Sequence, residues 1–316
     1  MTPHFTVVVP VFNRADRLGS ALCSVLEQSE QDFEIVVVDD GSTDSPEQVV
    51  AALEDPRIAI FRQDNRGGGA ARNAGIDRAR GTFIAFLDSD DRFLPHHLAA
   101  MRRLLDGEEN MIGYAPVVVD RGQGCRFVKP PRALRPGEHM AEYLLCSRGF
   151  VPTITLVAPR RLARQVRYSD TLPFAQDTDF AIRLFLAGCK FRMAEEPGAV
   201  WIDRGDPGRV SARRRCTELQ GWLEGLGPCL PARALHGGRG WMLAKALVRT
   251  RPVAALRLYV AAVMRGCYHP KLALAVFLQI FAPDSVYRRF SDCVVRILRG
   301  RIWSGEDRIA ARAVTR

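Results

Sequence analysis

Phe83-Ile84-Ala85-Phe86-Leu87-Asp88-Ser89-Asp90-Asp91 is an apolar run that ends abruptly in three carboxylates within four positions. The run is short, branched and aromatic, so it reads as a buried strand. A buried parallel strand ending in acids sets them on the carboxyl edge of a sheet, where open α/β sheets bind ligands. From a tight turn there, Asp88, Ser89 and Asp90 project oxygens. Hard cations such as Mg2+ or Mn2+ take such ligands and share them with phosphates. The stretch therefore reads as a metal–diphosphate site. The plainer alternative is an Asp/Ser-rich turn leaving a strand, and the rest of the chain must decide between them.

Upstream, Phe5-Thr6-Val7-Val8-Val9-Pro10, Glu34-Ile35-Val36-Val37-Val38 and Ile58-Ala59-Ile60-Phe61 are three further strand-like runs. Between them lie helical stretches. One opens at Asp16, with Leu18, Ala21, Leu22, Val25 and Leu26 on one face. One is capped within Ser42 to Ser45 and runs to about Leu53, and one spans Ala70 to Ala79. This β-α alternation predicts parallel strands with helices on both faces of the sheet. The strand ends at Pro10, Asp40, about Asn65 and Asp88 then share one edge.

Downstream, the pattern predicts a helix after Pro95 and one strand over Met111–Val119. A Gly/Pro/Arg-rich loop follows over 120–140, then a strand over Ile154–Ala158 and a polar loop over Ser169–Asp179. A helix over Phe180–Ala187 and short strands over Lys190–Met193 and Ala199–Asp203 complete this part. From Arg213 onward strand signals stop and helical stretches take over, so residues 1–212 are expected to form the catalytic domain and 213–316 a basic helical region. Leu256, Tyr259, Val260, Val263 and Met264 make an apolar stripe there, with Arg257 and Arg265 off it. The basic pattern continues through Arg288, Arg289, Arg296 and Arg299.

The net charge is +10, but residues 1–203 hold 24 Lys/Arg against 28 Asp/Glu and residues 204–316 hold 21 against 7. Such asymmetry pairs a nearly neutral catalytic part with a basic part that meets an anionic surface. The tail then reads either as a solvated helical cap or as interfacial helices on anionic lipid. It lacks a nucleic-acid motif or interleaved aromatic platforms, so no nucleic-acid partner is expected. Eight Cys occur without C-x-x-C spacing and read as reduced core thiols of a cytoplasmic protein. No signal peptide is expected at the N-terminus, and the longest apolar run, near Leu272–Ala282, is too short to span a bilayer.

Three other motifs carry chemistry. Asp39-Asp40-Gly41-Ser42 can set a carboxylate against the N–H edge of a uracil or guanine, or be an Asx-turn. Asn65-Arg66-Gly67-Gly68-Gly69-Ala70-Ala71-Arg72 brings a Gly run into a helix. Glycines admit a phosphate, the helix N-terminus favours anions, and Arg72 adds a charge-assisted contact. It matches neither G-x-G-x-x-G nor a P-loop. Asp177 and Asp179 precede an amphipathic stretch, as helix caps or as a general base for an acceptor hydroxyl.

Val9-Pro10-Val11-Phe12-Asn13-Arg14, Val38-Asp39-Asp40-Gly41-Ser42-Thr43-Asp44, Asn65…Ala71-Arg72-Asn73-Ala74-Gly75 and Phe86-Leu87-Asp88-Ser89-Asp90-Asp91, in this order and spacing, resemble family 2 glycosyltransferases of the GT-A fold, of the bacterial polysaccharide-biosynthesis type. The match is close over residues 4–105 and looser to about 204. The resemblance implies a Rossmann-like, mostly parallel sheet. It implies that Pro10 and Val11 line the nucleotide pocket, with Asn13 and Ser89 counted beside them. Asp40 would read the base, Arg72 approach the diphosphate, Asp88 reach the ribose and Asp90 hold Mg2+ or Mn2+. The family usually carries Glu-Asp before its catalytic helix; here Gln176-Asp177 keeps the Asp, and Asp177 is the implied base. The His that many relatives have within the stretch corresponding to 203–211 is absent, and Arg204 or Arg209 is the stand-in.

The expected reaction is inverting, metal-dependent transfer from a nucleotide-diphosphate sugar, a UDP-sugar foremost, to a hydroxyl of a glycan or polyprenyl-linked saccharide. Metal neutralises the departing diphosphate while Asp177 takes the hydroxyl proton. A nucleotidyltransferase would want a Gly-rich, basic loop directly after the first strand, where Val11-Phe12-Asn13 stands. A non-catalytic sugar-nucleotide-binding protein is the alternative from another class, and the presence of Asp88, Asp90 and Asp177 argues against it.

Overall fold

The computed structural model describes residues 2–204 and 216–302, with side chains of the last helix through residue 295. The expected boundary at 212 and Arg209 lie outside the described residues, as do the side chains of Arg296 and Arg299. The chain opens as β1 (Phe5–Val11), α1 (Ala15–Leu26), β2 (Phe33–Asp39), α2 (Pro46–Ala51), β3 (Ile58–Arg62), α3 (Gly68–Arg78) and β4 (Phe83–Phe86). It continues as β5 (Arg92–Phe93), α4 (His97–Leu105), β6 (Met111–Tyr114), β7 (Val117–Asp120), β8 (Arg126–Lys129) and α5 (Met140–Cys146). Next come β9 (Val157–Pro159), α6 (Arg160–Val166), α7 (Gln176–Leu186), β10 (Lys190–Met193) and β11 (Ala199–Ile202). Helices α8 (Cys216–Leu226), α9 (Ala232–Gly238), α10 (Ala244–Leu247), α11 (Pro252–Met264), α12 (Pro270–Phe281) and α13 (Asp284–Ile302) complete it.

The main sheet has seven strands in the order β10-β6-β9-β4-β1-β2-β3. Every pairing is parallel except those of β9, which runs antiparallel to β4 and β6. Buried parallel strands are covered on both faces and so are nearly all apolar, as β4 is throughout and β1 is but for Thr6, whose hydroxyl donates to Glu34 at 2.7 Å. Successive side chains still alternate between faces. Val8, Ile84 and Phe86 join one core with Tyr143, Leu145 and Phe180. Val7, Val9, Ala85 and Leu87 join the other, with Leu18, Leu22, Leu98 and Met101. The first core runs on into the C-terminal helices through Ala234, Ala244, Ala255, Ala262, Leu272 and Val276.

Four expectations change. The apolar run 111–119 is two strands in different sheets, because Pro116 lacks the N–H that a continuous ladder needs and sits between β6 and β7. The stretch 120–140 is not all loop: β8 pairs antiparallel with β7 in a second sheet, β5-β11-β7-β8. The predicted strand at 154–158 is a 3-10 turn, Thr153–Thr155, leading into β9. Helix α7 begins at Gln176, four residues before Phe180. Its polar first turn hides it from an apolar-period reading, although acids there suit the helix dipole.

All eight cysteines are free thiols. Four of them, Cys125, Cys146, Cys189 and Cys267, are buried as expected, but Cys229 and Cys293 are exposed. The apolar stripe of the tail is split by packing. Tyr259 and Val263 lie against the core, while Leu256, Val260 and Met264 face solvent, Met264 being 80% exposed. Among the described residues no helix is long and apolar enough to cross a membrane.

Candidate active site

The carboxyl edge is built from loops that clasp one another. After β1, the Asn13 Oδ1 accepts from the Thr43 N–H at 2.8 Å, and the Asn13 N–H donates to Ser42 Oγ at 3.0 Å. Asp44 accepts from the Ala15 N–H at 2.7 Å, an acid at the start of α1. Pro10 and Val11 lie in register with Val38 and Asp39. Buried Asp40 holds the next loop: its Oδ1 accepts from Gln63 Nε2 (2.7 Å) and the Arg66 N–H (2.9 Å), its Oδ2 from the Gly67 N–H (2.7 Å). Asp40 thus fixes the entrance of the Gly-rich loop, a task the sequence did not disclose.

Two glycines of that loop are required by the chain itself. Gly67 has φ +87°, the left-handed region, and at Gly69 a Cβ would stand 2.4 Å from the Ser169 carbonyl oxygen. Asn73, one position past Arg72, pins the same distant segment. Its Nδ2 donates to the Tyr168 carbonyl at 2.9 Å, and its Oδ1 accepts from the Tyr168 N–H at 2.8 Å.

Arg72 is the hub. It is buried, pairs with Asp88, donates to Gln176 Oε1 at 2.9 Å and lies 5.3 Å over the Tyr168 ring. Gln176 also donates from Nε2 to the Leu172 carbonyl at 2.7 Å, a contact a glutamate could not make. The adjoining Asp177, half-buried, accepts from the Thr178 N–H at 2.7 Å. Burial raises its carboxyl above the usual carboxylate value, against the Thr178 N–H and the Lys129 and Arg72 charges, which pull it down. The chain Asp88–Arg72–Gln176 brings a residue almost ninety positions away to the turn after β4. Asp179 is occupied structurally, pairing with Arg183 and accepting from Trp222 Nε1 at 2.9 Å.

In that turn Asp88 is one-third exposed, whereas Ser89, Asp90 and Asp91 are buried. Asp91 accepts from the Ile202 N–H of β11 at 2.8 Å. Asp90 holds a cationic partner, with Arg14 Nη1 2.6 Å and Arg17 Nη1 3.9 Å from its Oδ2. Among the described residues no three His, Cys, Asp or Glu side chains make a metal-binding group. Mg2+ and Mn2+ do not require one, since water and diphosphate oxygens complete their shells around one or two carboxylates. A turn presenting Asp88 and Asp90, already attracting a guanidinium, fits such an ion. Arg204, the described stand-in for the missing His, pairs with Asp120 at 3.6 Å.

Lys129 escaped the sequence reading because it lies in what reads as a loop. It ends β8 with its ammonium 3.9 Å over Phe150 and 5.5 Å over Trp201, and its charge acts on Asp177.

A sequence model described as glycosyl transferase family 2 matches residues 6–165. The amylovoran biosynthesis glycosyltransferase AmsB of Erwinia amylovora is 31% identical over 250 residues, covering 76% of this chain and 83% of that protein. The succinoglycan biosynthesis protein ExoO of Rhizobium meliloti is 32% identical over 246 residues, covering 74% and 70%. The fold is similar to that of S. aureus TarS 1-349 in complex with UDP-GlcNAc, at TM-score 0.61 and 17% identity over 95% of this chain and 93% of that one. It is also similar to the mannosyltransferase PcManGT of Pyrobaculum calidifontis, in complex with GDP-Man and Mn2+, at TM-score 0.58 and 19% identity over 97% and 89%. With strand-end acids on a mostly parallel sheet and relatives of this kind, the chain belongs to glycosyl transferase family 2 and is a glycosyltransferase of the GT-A fold.

Proposed function

We propose that this enzyme transfers a sugar, with inversion, from a nucleotide-diphosphate donor to a saccharide hydroxyl in the building of a bacterial surface polysaccharide. The observation that carries the reading is Asp177 held beside the Asp88–Arg72 pair through Gln176. Pro10, Val11, Asn13 and Asp40 frame the nucleotide. Arg72, Asp88 and Ser89 face the ribose and diphosphate. Asp90 would hold Mg2+ or Mn2+, which when bound neutralises charge on the departing diphosphate. Asp177 accepts the proton of the acceptor hydroxyl as that oxygen bonds to the anomeric carbon from the opposite face. The carbon–oxygen bond to the diphosphate breaks with its electron pair leaving on the diphosphate.

UDP- and GDP-sugars supplied with and without Mn2+ test the donor side by thermal shift and calorimetric titration. One donor class is expected to bind more tightly with Mn2+, and Asp90→Ala should lose that metal-dependent increment. Equal donor affinity with and without metal in the wild type would remove Asp90 from the metal.

The tail favours a lipid surface as the place of work, on the cytoplasmic face of the membrane where a polyprenyl-linked acceptor is reached. Val253, Leu256, Val260 and Met264 on α11 and Leu274 and Phe277 on α12 are exposed, with Arg257, Arg265 and Lys271 exposed among them. Apolar side chains with basic neighbours suit an anionic interface. Full-length protein should float with vesicles containing anionic lipid, and the double variant Met264→Glu, Leu274→Glu should float several-fold less. Equal flotation of the two leaves α11 and α12 as a solvated cap.

A further inference from the structure

The second sheet abuts the turn after β4, since β5 follows Asp91 directly and pairs with β11. Asp91, next to Asp90, holds the Ile202 N–H, and the residue before Ile202 is Trp201. Trp201 stacks on Phe150 with centroids 5.7 Å apart and planes inclined by 27°. Over this pair stands the Lys129 ammonium. Among the described residues no carboxylate lies within ion-pairing distance of it, although Asp177 and Asp203 act on it at longer range. Arg148, two residues from Phe150, is exposed, carries no ion pair among the described residues, and occupies a left-handed conformation at φ 57°. Strain of that kind persists where the surroundings enforce it and collects at binding sites.

A half-buried ammonium without a carboxylate is costly. Two aromatic faces offset part of that cost and leave its positive field unspent. Aromatic faces are also the surfaces on which the apolar faces of sugar rings lie. Lys129 over these faces and Arg148 within its electrostatic reach, neither in an ion pair among the described residues, make a platform that is positive, with the Asp177 carboxylate acting on it at longer range.

We propose that Phe150, Trp201, Lys129 and Arg148 form the acceptor subsite, and that it selects a saccharide bearing an anionic group, a carboxylate or a phosphate, near the hydroxyl presented to Asp177. This rests on the proposed reaction above, from which it takes Asp177 as the base. The aromatic pair receives the ring, Lys129 and Arg148 receive the anion, and the hydroxyl then faces the carboxylate. Burial, with Arg148 and Arg121 adding to it, lowers Lys129 to about 8, while Asp177 and Asp203 oppose the shift. Lys129 is therefore charged below pH 8 and loses its charge above it, so selection for anions should weaken as pH rises through that value.

Methyl β-glucuronide, glucose 6-phosphate and neutral methyl β-glucoside are the probes, titrated by ligand-observed NMR against the full-length protein at pH 7 and pH 9. At pH 7 at least one anionic probe is expected to bind at least about tenfold more tightly than the glucoside. Which anionic probe wins separates a uronic-acid source from a sugar-phosphate source. Lys129→Met should lose most of this preference. Lys129→Arg should keep it at both pH values, whereas the wild type should lose much of it at pH 9. A stabilising shift with nucleotide sugar certifies that each variant is folded. Equal binding of all three probes to the wild type, or an undiminished preference in Lys129→Met, overturns the subsite. If no nucleotide sugar binds the wild type while the anion preference stands, it is the donor reading that fails.

Discussion

Replacing Asp177 with Asn is expected to lower kcat for sugar transfer by about 10²–10⁴-fold, the range a positioned general base supplies. The amide is isosteric, and its oxygen can still accept the Thr178 N–H that now reaches Asp177 at 2.7 Å. Folding and donor affinity should therefore stay close to wild type. Burial keeps this carboxyl above the usual carboxylate value, which makes it a stronger proton acceptor. The acid limb of the kcat profile should accordingly sit above the pH expected of an exposed aspartate. Steady-state kinetics with a fixed donor and a varied acceptor provide the check. If Asp177 served only the first turn of α7, the Asn variant would melt earlier while turning over at a near wild-type rate, and that pair of results would exclude it as the base.

Lowering the pH from 6.5 to 4 should cost about 3 kcal/mol of stability through His97 alone. His97 opens α4 fully buried against Phe93, with ring centroids 4.5 Å apart, and neither ring nitrogen has a hydrogen-bond partner. Burial, aided by neighbouring His96, lowers it to about 3, whereas an unfolded histidine titrates near 6.5. Between those values the unfolded chain binds a proton that the folded chain refuses. Stability is therefore intact above pH 6.5 and falls by about 1.4 kcal/mol per unit as pH drops toward 3. Carboxylates such as Glu34 and Asp120, which are held below their usual values, add acid sensitivity at the lower end of this range. His97→Phe isolates the histidine: its urea-unfolding free energy should fall less steeply between pH 6.5 and 4.5 than that of the wild type. Parallel slopes would mean that His97 is protonated in the folded protein.

The first four strands were legible because each is a run of apolar residues long enough to show its period, and three of them end in motifs. What followed was harder for reasons that can be named. Strands β5 to β9 are two to four residues long, too short for alternation to register, and the Met111–Val119 run hides a break that only Pro116 marks, whereas the short strands expected over Lys190–Met193 and Ala199–Asp203 form as β10 and β11. Helix α7 starts on Gln-Asp-Thr-Asp, which reads as loop until its later apolar face is seen against the core. Lys129 carried no signal, since a Lys in a Gly/Pro-rich stretch is ordinarily a solvated one.

By itself, the sequence determined the parallel sheet, the edge that carries Asp40, Arg72, Asp88 and Asp90, and the class of enzyme. The sheet and its edge are set by local runs and by spacing within about a hundred residues, and the class of enzyme is what the resemblance of the motifs on that edge to a known family implies. Only the tertiary structure decided which distant groups meet. It joined Gln176 and Asp177 to Asp88 through Arg72, seated Arg14 on Asp90, and stacked Trp201 on Phe150 beneath Lys129. Such contacts depend on the order of strands and on the side to which β11 and the β7–β8 hairpin return. That is fixed by packing of the whole core and leaves no periodic trace in the residues that meet.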